Sequence, residues 1–243
     1  LWEVTPENHR EGLVIHTTGW PLDSQTYGGS FLYHLENNQV AVGFVIGLDY
    51  KNPFLSPFEE FQQFKTHPDI SETFKGGRRI SYGARAISEG GYQSIPRLSF
   101  PGGLLVCDAA GFLNVPKIKG SHTAMKSGIL AAESLFAAAD MADSKVTLDY
   151  AFRFSKSWLA TELKRVRNIR PSFRWGFWLG LLYAGIDTYI LRGKAPWTLK
   201  HHEDHKQLIP AKQAKQIKYP KPDGVLTFDR LSSVFISNTN HEE

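Results

Sequence analysis

Two apolar runs separated by four polar residues set the first limit on the fold. Gly29-Ser30-Phe31-Leu32-Tyr33-His34-Leu35 and Val40-Ala41-Val42-Gly43-Phe44-Val45-Ile46 flank Glu36-Asn37-Asn38-Gln39. Short runs rich in β-branched and aromatic residues favour strands, and an Asn-Asn pair tolerates positive φ, so this stretch predicts a β-hairpin. Leu13-Val14-Ile15, leading into Gly19-Trp20-Pro21, adds a further strand, and 13–50 reads as antiparallel sheet. Ser56-Pro57-Phe58-Glu59-Glu60 predicts a helix start, with serine as cap, proline at the first position and acids in the first turn. A strand is expected near 79–86, after the Gly76-Gly77 turn, and another turn at Gly90-Gly91.

Further along, Leu104-Leu105-Val106-Cys107 reads as a short buried strand ended by Asp108. A loop over 109–119 precedes a helix over about 120–139, and a second helix is expected over about 147–167. An apolar segment follows, then a polar, proline-bearing tail from 196 to 243. With 243 residues, 42% hydrophobic and 21% charged, the chain is long enough for one large or two modest domains and is not disordered as a whole. Its one cysteine, Cys107, excludes a disulfide framework and any all-cysteine metal site made by this chain alone. The opening Leu1-Trp2-Glu3-Val4 has no leader-peptide character and reads as the middle of a structured segment, so a piece of a longer protein is expected.

A net charge of +4 is too small to argue for nucleic acid. Its distribution says more. Lys164, Arg165, Arg167, Arg170, Arg174, Arg192, Lys194 and Lys200 face one acid, Asp187, a local excess of seven that leaves −3 elsewhere. These cations bracket an apolar run from Phe173 to Leu191. Only 175–186 is free of charge, too short for an ordinary transmembrane helix, which needs about 20 apolar residues. Trp175, Phe177, Trp178, Leu181, Leu182 and Tyr183, flanked by arginine and lysine, fit an interfacial segment lying on anionic lipid. A buried core helix is the other reading.

The strand–loop–helix over 103–139 has the pattern that holds a phosphate- or flavin-type group. The small residues Gly120, Ser121, Thr123 and Ala124 let a ligand approach the unpaired amides of a helix start, where partial positive charge gathers. Asp108, at a strand's end, suits a sugar or ribityl hydroxyl. A packed turn with Asp108 as a cap stays equally open. Gly28-Gly29, entering an apolar strand, marks either a bulge or a close ligand approach. Phe31, Tyr33 and Phe44 fit a core, or part of an apolar slot. His34 and His122 are structural histidines or proton carriers, Cys107 a small core residue, and His201, His202 and His205 a solvated loop rather than a metal site.

Longer runs carry a family resemblance. Phe100-Pro101-Gly102-Gly103-Leu104-Leu105 is followed by Asp108-Ala109-Ala110-Gly111-Phe112-Leu113-Asn114-Val115-Pro116-Lys117-Ile118-Lys119-Gly120-Ser121-His122-Thr123-Ala124-Met125-Lys126-Ser127-Gly128. With Gly19-Trp20-Pro21-Leu22-Asp23, Tyr27-Gly28-Gly29-Ser30-Phe31, Arg167-Asn168-Ile169-Arg170-Pro171 and Tyr219-Pro220-Lys221-Pro222-Asp223-Gly224, this resembles the electron transfer flavoprotein–ubiquinone oxidoreductases over essentially the whole chain.

The resemblance implies an α+β fold: a mixed or antiparallel sheet domain that binds quinone, and part of an FAD-binding domain of the glutathione-reductase-like type with a membrane-contacting helix. Its implied segments are 1–100 for the ubiquinone-binding sheet, 101–140 for the second FAD stretch, 141–195 for helices with monotopic membrane contact, and 196–243 for a linker toward an iron–sulfur domain. Gly28 and Gly29 would meet a ubiquinone carbonyl. Asp108, Gly120, Ser121, Thr123, Ala124 and Met125 would hold FAD, the helix start lying at the pyrimidine edge, where its amides and the Thr123 hydroxyl would raise the flavin potential. No residue is assigned a catalytic role. A glycine-rich FAD motif is expected upstream of Leu1 and the cysteines of a 4Fe-4S cluster downstream of Glu243. The implied partners are electron transfer flavoprotein, ubiquinone and a lipid surface, in a bacterial or mitochondrial inner membrane. A geranylgeranyl-reductase-like flavoprotein or hydroxylase, and a non-catalytic membrane-surface module, are the alternatives.

Overall fold

The computed structural model describes residues 1–137 and 143–237. They form two compact units, Leu1–Arg85 with Glu203–Glu243, and Ala86–His202. In chain order the elements are β1 (Trp2–Glu3), β2 (Val14–Thr17), β3 (Gly28–His34), β4 (Gln39–Ile46), α1 (Pro57–Phe64), α2 (Pro68–Phe74), β5 (Arg78–Arg79), β6 (Ser99–Phe100), β7 (Gly103–Leu104), α3 (Ser121–Ala137), α4 (Asp143–Lys156), α5 (Trp158–Arg165), α6 (Ile169–Ser172), α7 (Phe177–Gly185) and α8 (Arg230–Phe235). The architecture is α+β.

The first unit is built on a five-stranded antiparallel sheet in the order β2-β3-β4-β1-β5. The hairpin forms where expected. Asn37 and Asn38 take φ of 57° and 56°, the left-handed pair that matches strand twist, and His34 pairs with Val40. Ser30, Leu32 and His34 alternate into the interior. Leu32, Val40 and Val42 pack with Trp2, Phe64, Ile70 and Phe74 into one core. The α1 start is capped as read: the Ser56 hydroxyl accepts from the Glu59 amide, behind Pro57.

The strand expected over 79–86 shrinks to Arg78–Arg79. Its partner β1 is two residues long, so the ladder has nothing more to pair with. The segment expected as a linker also differs, because Phe228 packs on Trp2 and the Asp223 carboxylate accepts from the amides of Val225, Leu226 and Thr227.

The second unit closes around Phe112, Leu130, Tyr150, Phe154, Leu159 and Leu163. The buried strand expected over 104–107 ends at Leu104, in a two-residue ladder with β6. Cys107 takes a left-handed φ of 58°, which breaks the extended run and starts a 3₁₀ turn over Cys107–Ala110; its side chain is half-buried, not core. The long helix expected over 147–167 is two helices, because the Ser157 hydroxyl caps α5 by accepting from the Ala160 amide. α3 begins at Ser121, one residue from the expected start. Its expected end near 139 and the segment boundary at 140 and 141 lie outside the described residues.

Candidate functional site

Past the end of β2 lies an open strand edge. β2 stops at Thr17, opposite Ser30, so no strand flanks Gly28 and Gly29 on that side. There Thr18 Oγ1 donates to the Gly28 carbonyl, and the Gly28 amide is the main-chain donor that faces the edge, while on the other side the pair stays in register with Ile46 and Val45. The ladder to β4 is unbroken, which sets aside the bulge reading. Close approach explains both glycines. A Cβ on Gly29 would lie 2.6 Å from the Thr17 carbonyl oxygen, and one on Gly28 would collide with the Val45 carbonyl and Leu22. Phe44 stacks on Phe64 in the core, whereas Phe31 and Tyr33 stack on each other, 4.9 Å apart, on the opposite face. Buried His34 accepts the Arg10 amide at Nδ1, so its hydrogen sits on Nε2, which has no partner among the described residues. Burial, then His9 and Arg10, hold its pKa below the ordinary value.

In the second unit the turn at Cys107–Ala110 is pinned to α3. The Cys107 amide donates to the Ser127 hydroxyl, which donates in turn to the Ala124 carbonyl. Asp108 is exposed, and its carboxylate has no bond among the described residues. The first amides of α3, at Ser121, His122 and Thr123, have no intrahelical acceptor. An unpartnered carboxylate and free helix-start amides at one loop–helix junction fit a ribityl or diphosphate chain. Thr123 differs from the expectation. It is fully buried, and its one hydroxyl proton is committed between the Phe112 and Gly120 carbonyls, so it offers no surface to a ligand and the start of α3 is presented by Ser121 and His122. Ser121 and Met125 are exposed, while Gly120 and Ala124 are half-buried.

One carboxylate that sequence reasoning missed organises this junction. Glu162 Oε1 accepts from Asn114 Nδ2 at 2.6 Å, His122 Nε2 at 2.8 Å and Lys117 Nζ at 3.1 Å. Burial alone would raise its pKa, yet these three donors hold it at about 2. The His122 ring lies flat against Trp158, 6° from parallel.

Within this chain the apolar segment is largely exposed. α7 packs through Gly180, where a Cβ would sit 2.8 Å from Phe173, and turns its large side chains outward: Trp178 is 78% exposed and Leu182 62%. Trp175, Phe177 and Leu181 are also exposed, and half-buried Tyr183 accepts from Trp197 Nε1 at 2.7 Å. A π-helical turn over Ile186–Ile190 follows, with Asp187 buried inside it. The segment is anchored from behind by buried Arg167, which donates to the carbonyls of Lys164, Gly193, Ala195 and Trp197. No helix among the described residues is long and apolar enough to cross a membrane.

A cavity of about 90 Å³ in the first unit was also unforeseen. Lys65 and Arg79 line it. Lys65 is 1% exposed, within 5.5 Å of the Trp2, Phe61 and Phe228 ring centres, and donates to Gln62 Oε1 and the Leu226 carbonyl. Burial, then Arg79, lower its pKa to about 7. The signal was present in the sequence: Lys65 follows Phe61 by four residues, on the helix face that turns inward.

A family model described as ETF-QO, ubiquinone-binding, matches residues 1–87. The whole chain is 57% identical to the mitochondrial electron transfer flavoprotein-ubiquinone oxidoreductase of Mus musculus, 56% to that of Homo sapiens and 51% to that of Dictyostelium discoideum. The chain belongs to the electron transfer flavoprotein–ubiquinone oxidoreductase family. It spans 41% of the length of the mouse and human relatives and 42% of the Dictyostelium one. The match over 1–87 contains β1 to β5 and both glycines of the open edge, so the ubiquinone-binding similarity falls on the sheet unit. The junction around Asp108 and α3 lies outside it, within the stretch that the family members share. A four-iron cluster finds no ligand set in this chain, whose one thiol, Cys107, lies 3.5 Å from the Ala124 carbonyl.

Proposed function

We propose that this chain is the quinone-facing part of an electron transfer flavoprotein–ubiquinone oxidoreductase, an FAD enzyme that takes electrons from reduced electron transfer flavoprotein and delivers them to ubiquinone. The observation that carries the reading is the ubiquinone-binding match over 1–87, within more than half identity over the whole chain. In this reading the Gly28 amide, on the β3 edge beyond Thr17, hydrogen-bonds a quinone carbonyl, with Gly29 beside it giving the ring close access to the main chain. A quinone needs only one or two such bonds inside an apolar slot, and a strand edge with no neighbouring strand can supply them.

Asp108 and the amides of Ser121 and His122 hold FAD, with Gly120, Ala124 and Met125 around the helix start and buried Thr123 supporting it from behind. When bound, FAD supplies two-electron acceptance and onward transfer. The chain's own part is to orient it: the α3 N-terminus places partial positive charge where negative charge gathers on reduction. A 4Fe-4S cluster, expected for the family, would be ligated by residues outside this chain. The exposed face of α7 lies in the lipid interface, with Trp178 and Leu182 among the acyl chains and the flanking cations at anionic headgroups. The mitochondrial relatives favour the inner mitochondrial membrane as its location.

The test is quinone-coupled dye reduction by the full-length protein with electron transfer flavoprotein as donor, alongside a flavin absorption spectrum. Flavin together with lipid-dependent quinol formation is expected. Absence of flavin would point to a membrane-surface binding module, and consumption of NAD(P)H to a hydroxylase or reductase of related architecture.

A further inference from the structure

Glu162 stands 40 to 48 residues in sequence from each of its three donors, and those donors define the junction described above. Asn114 is fully buried and caps the 3₁₀ turn over Val115–Lys117 by accepting the Lys117 amide. Lys117 closes that turn, and Ile118 follows in a left-handed conformation at φ 54°. His122 is the second residue of α3. One oxygen therefore ties the loop entering α3 to the first turn of α3, from a third element, α5. Because Glu162 is ionised and accepts at His122 Nε2, that nitrogen carries the hydrogen. The ring is fixed twice, by this bond and by the face of Trp158.

We propose that Glu162 is a positioning residue for the flavin site: through Asn114, Lys117 and His122 it sets the first turn of α3 so that the amides of Ser121 and His122 converge on the cofactor. Glu162 does not touch the ligand. It acts as the outer partner that holds contacting groups in place, and at metal sites the loss of such a partner costs about 10–100-fold in affinity. The inference rests on the assignment of FAD to this junction.

The test compares Glu162→Gln with Glu162→Ala in the full-length protein. Both remove the charge, but only glutamine keeps an oxygen where the three donors meet. Glu162→Ala should bind FAD about tenfold more weakly than Glu162→Gln, the size of one good hydrogen bond lost. Its flavin midpoint potential should also fall below that of the glutamine variant, because drifting amides stabilise the reduced flavin less. Equal affinity and equal potential in the two variants, with only a lower melting temperature for alanine, would overturn the proposal. If the wild-type protein takes up no FAD, the cofactor assignment fails, and the clamp is judged separately from the amide ¹⁵N shifts of Ser121, His122 and Thr123. Shifts that move in Glu162→Ala but not in Glu162→Gln support it, and shifts unmoved in both refute it.

Discussion

Replacing Lys65 with methionine separates two effects that this buried amine combines. Its ammonium sits among three aromatic rings, which attract a cation, inside a low-dielectric interior, which repels one. The pKa of about 7 says that burial wins. The drop from 10.5 to about 7 corresponds to up to about 5 kcal/mol by which the charged form opposes folding. The sign follows from proton counting. Between about 7 and 10.5 the unfolded chain binds more protons than the folded one, so stability rises with pH across that window and is flat below it. By pH 9.5 roughly 3 kcal/mol of the penalty at pH 7 should be gone.

Methionine removes the titration but also takes a donor from the Leu226 carbonyl and one of two from Gln62 Oε1, which keeps the Phe228 amide, an offset of about 1–3 kcal/mol. That offset is independent of pH and cancels in the slope. Urea unfolding of wild type and Lys65→Met at pH 6.0, 7.0, 8.5 and 9.5 should therefore show the wild type gaining about 3 kcal/mol on the variant between pH 7.0 and 9.5. A difference constant to within about 1 kcal/mol over that range would refute the reasoning.

Further outcomes follow from other sites. Trp178→Ser and Leu182→Ser should leave the melting temperature within about 2 °C, since both side chains are exposed, yet weaken sedimentation with anionic vesicles severalfold. Gly29→Ala should cost about 1–3 kcal/mol in chemical unfolding, because the Thr17 carbonyl occupies the space. Asn38→Ala should cost about 1 kcal/mol, because its φ of 56° favours asparagine or glycine. Burial alone would raise the Asp223 carboxyl, yet the amides of Thr227, Val225 and Leu226 hold it at about 2. Its stabilisation is complete above the unfolded value near 4 and is lost as pH falls through about 2. Asp223→Asn should flatten that acid limb by about 1 kcal/mol once solvent screening of this exposed group is counted.

What the sequence disclosed was local. The Asn37-Asn38 turn, the Ser56-Pro57 helix start and the start of α3 each depend on a few adjacent residues, and each formed within a residue of its expected place. What it concealed was set at a distance. The 79–86 strand failed because β1, far away in sequence, is short. The 104–107 strand failed because Cys107, which carries no positive-φ signal, is drawn left-handed where its amide meets Ser127. Glu162 looks like any surface glutamate until the fold brings Asn114, Lys117 and His122 to it. The burial of 175–186 was undecidable from composition, because a core helix and a lipid-facing one use the same residues; within this chain only Gly180 of α7 is buried, against Phe173.

The glycine pair shows how a packing explanation and a ligand explanation can coexist. The Cβ positions of Gly28 and Gly29 are filled by this chain's own carbonyls, so packing alone requires glycine at both, whether or not a quinone ever binds. A substitution that abolishes quinone reduction would then follow from either account. The two differ in what the main chain does on the side where β2 has ended. On that edge packing uses the Thr17 carbonyl and the Thr18 hydroxyl, which bonds the Gly28 carbonyl, whereas quinone binding requires a hydrogen bond there from the Gly28 amide, which no neighbouring strand claims. The discriminating signal is therefore a shift of the Gly28 amide resonance when a short-chain quinone is added to the unsubstituted protein, since the Gly29 amide faces β4. The Phe31–Tyr33 face serves as the internal control, because it lies on the opposite side of the sheet from the Phe44–Phe64 core and can take an apolar ring without any main-chain bond.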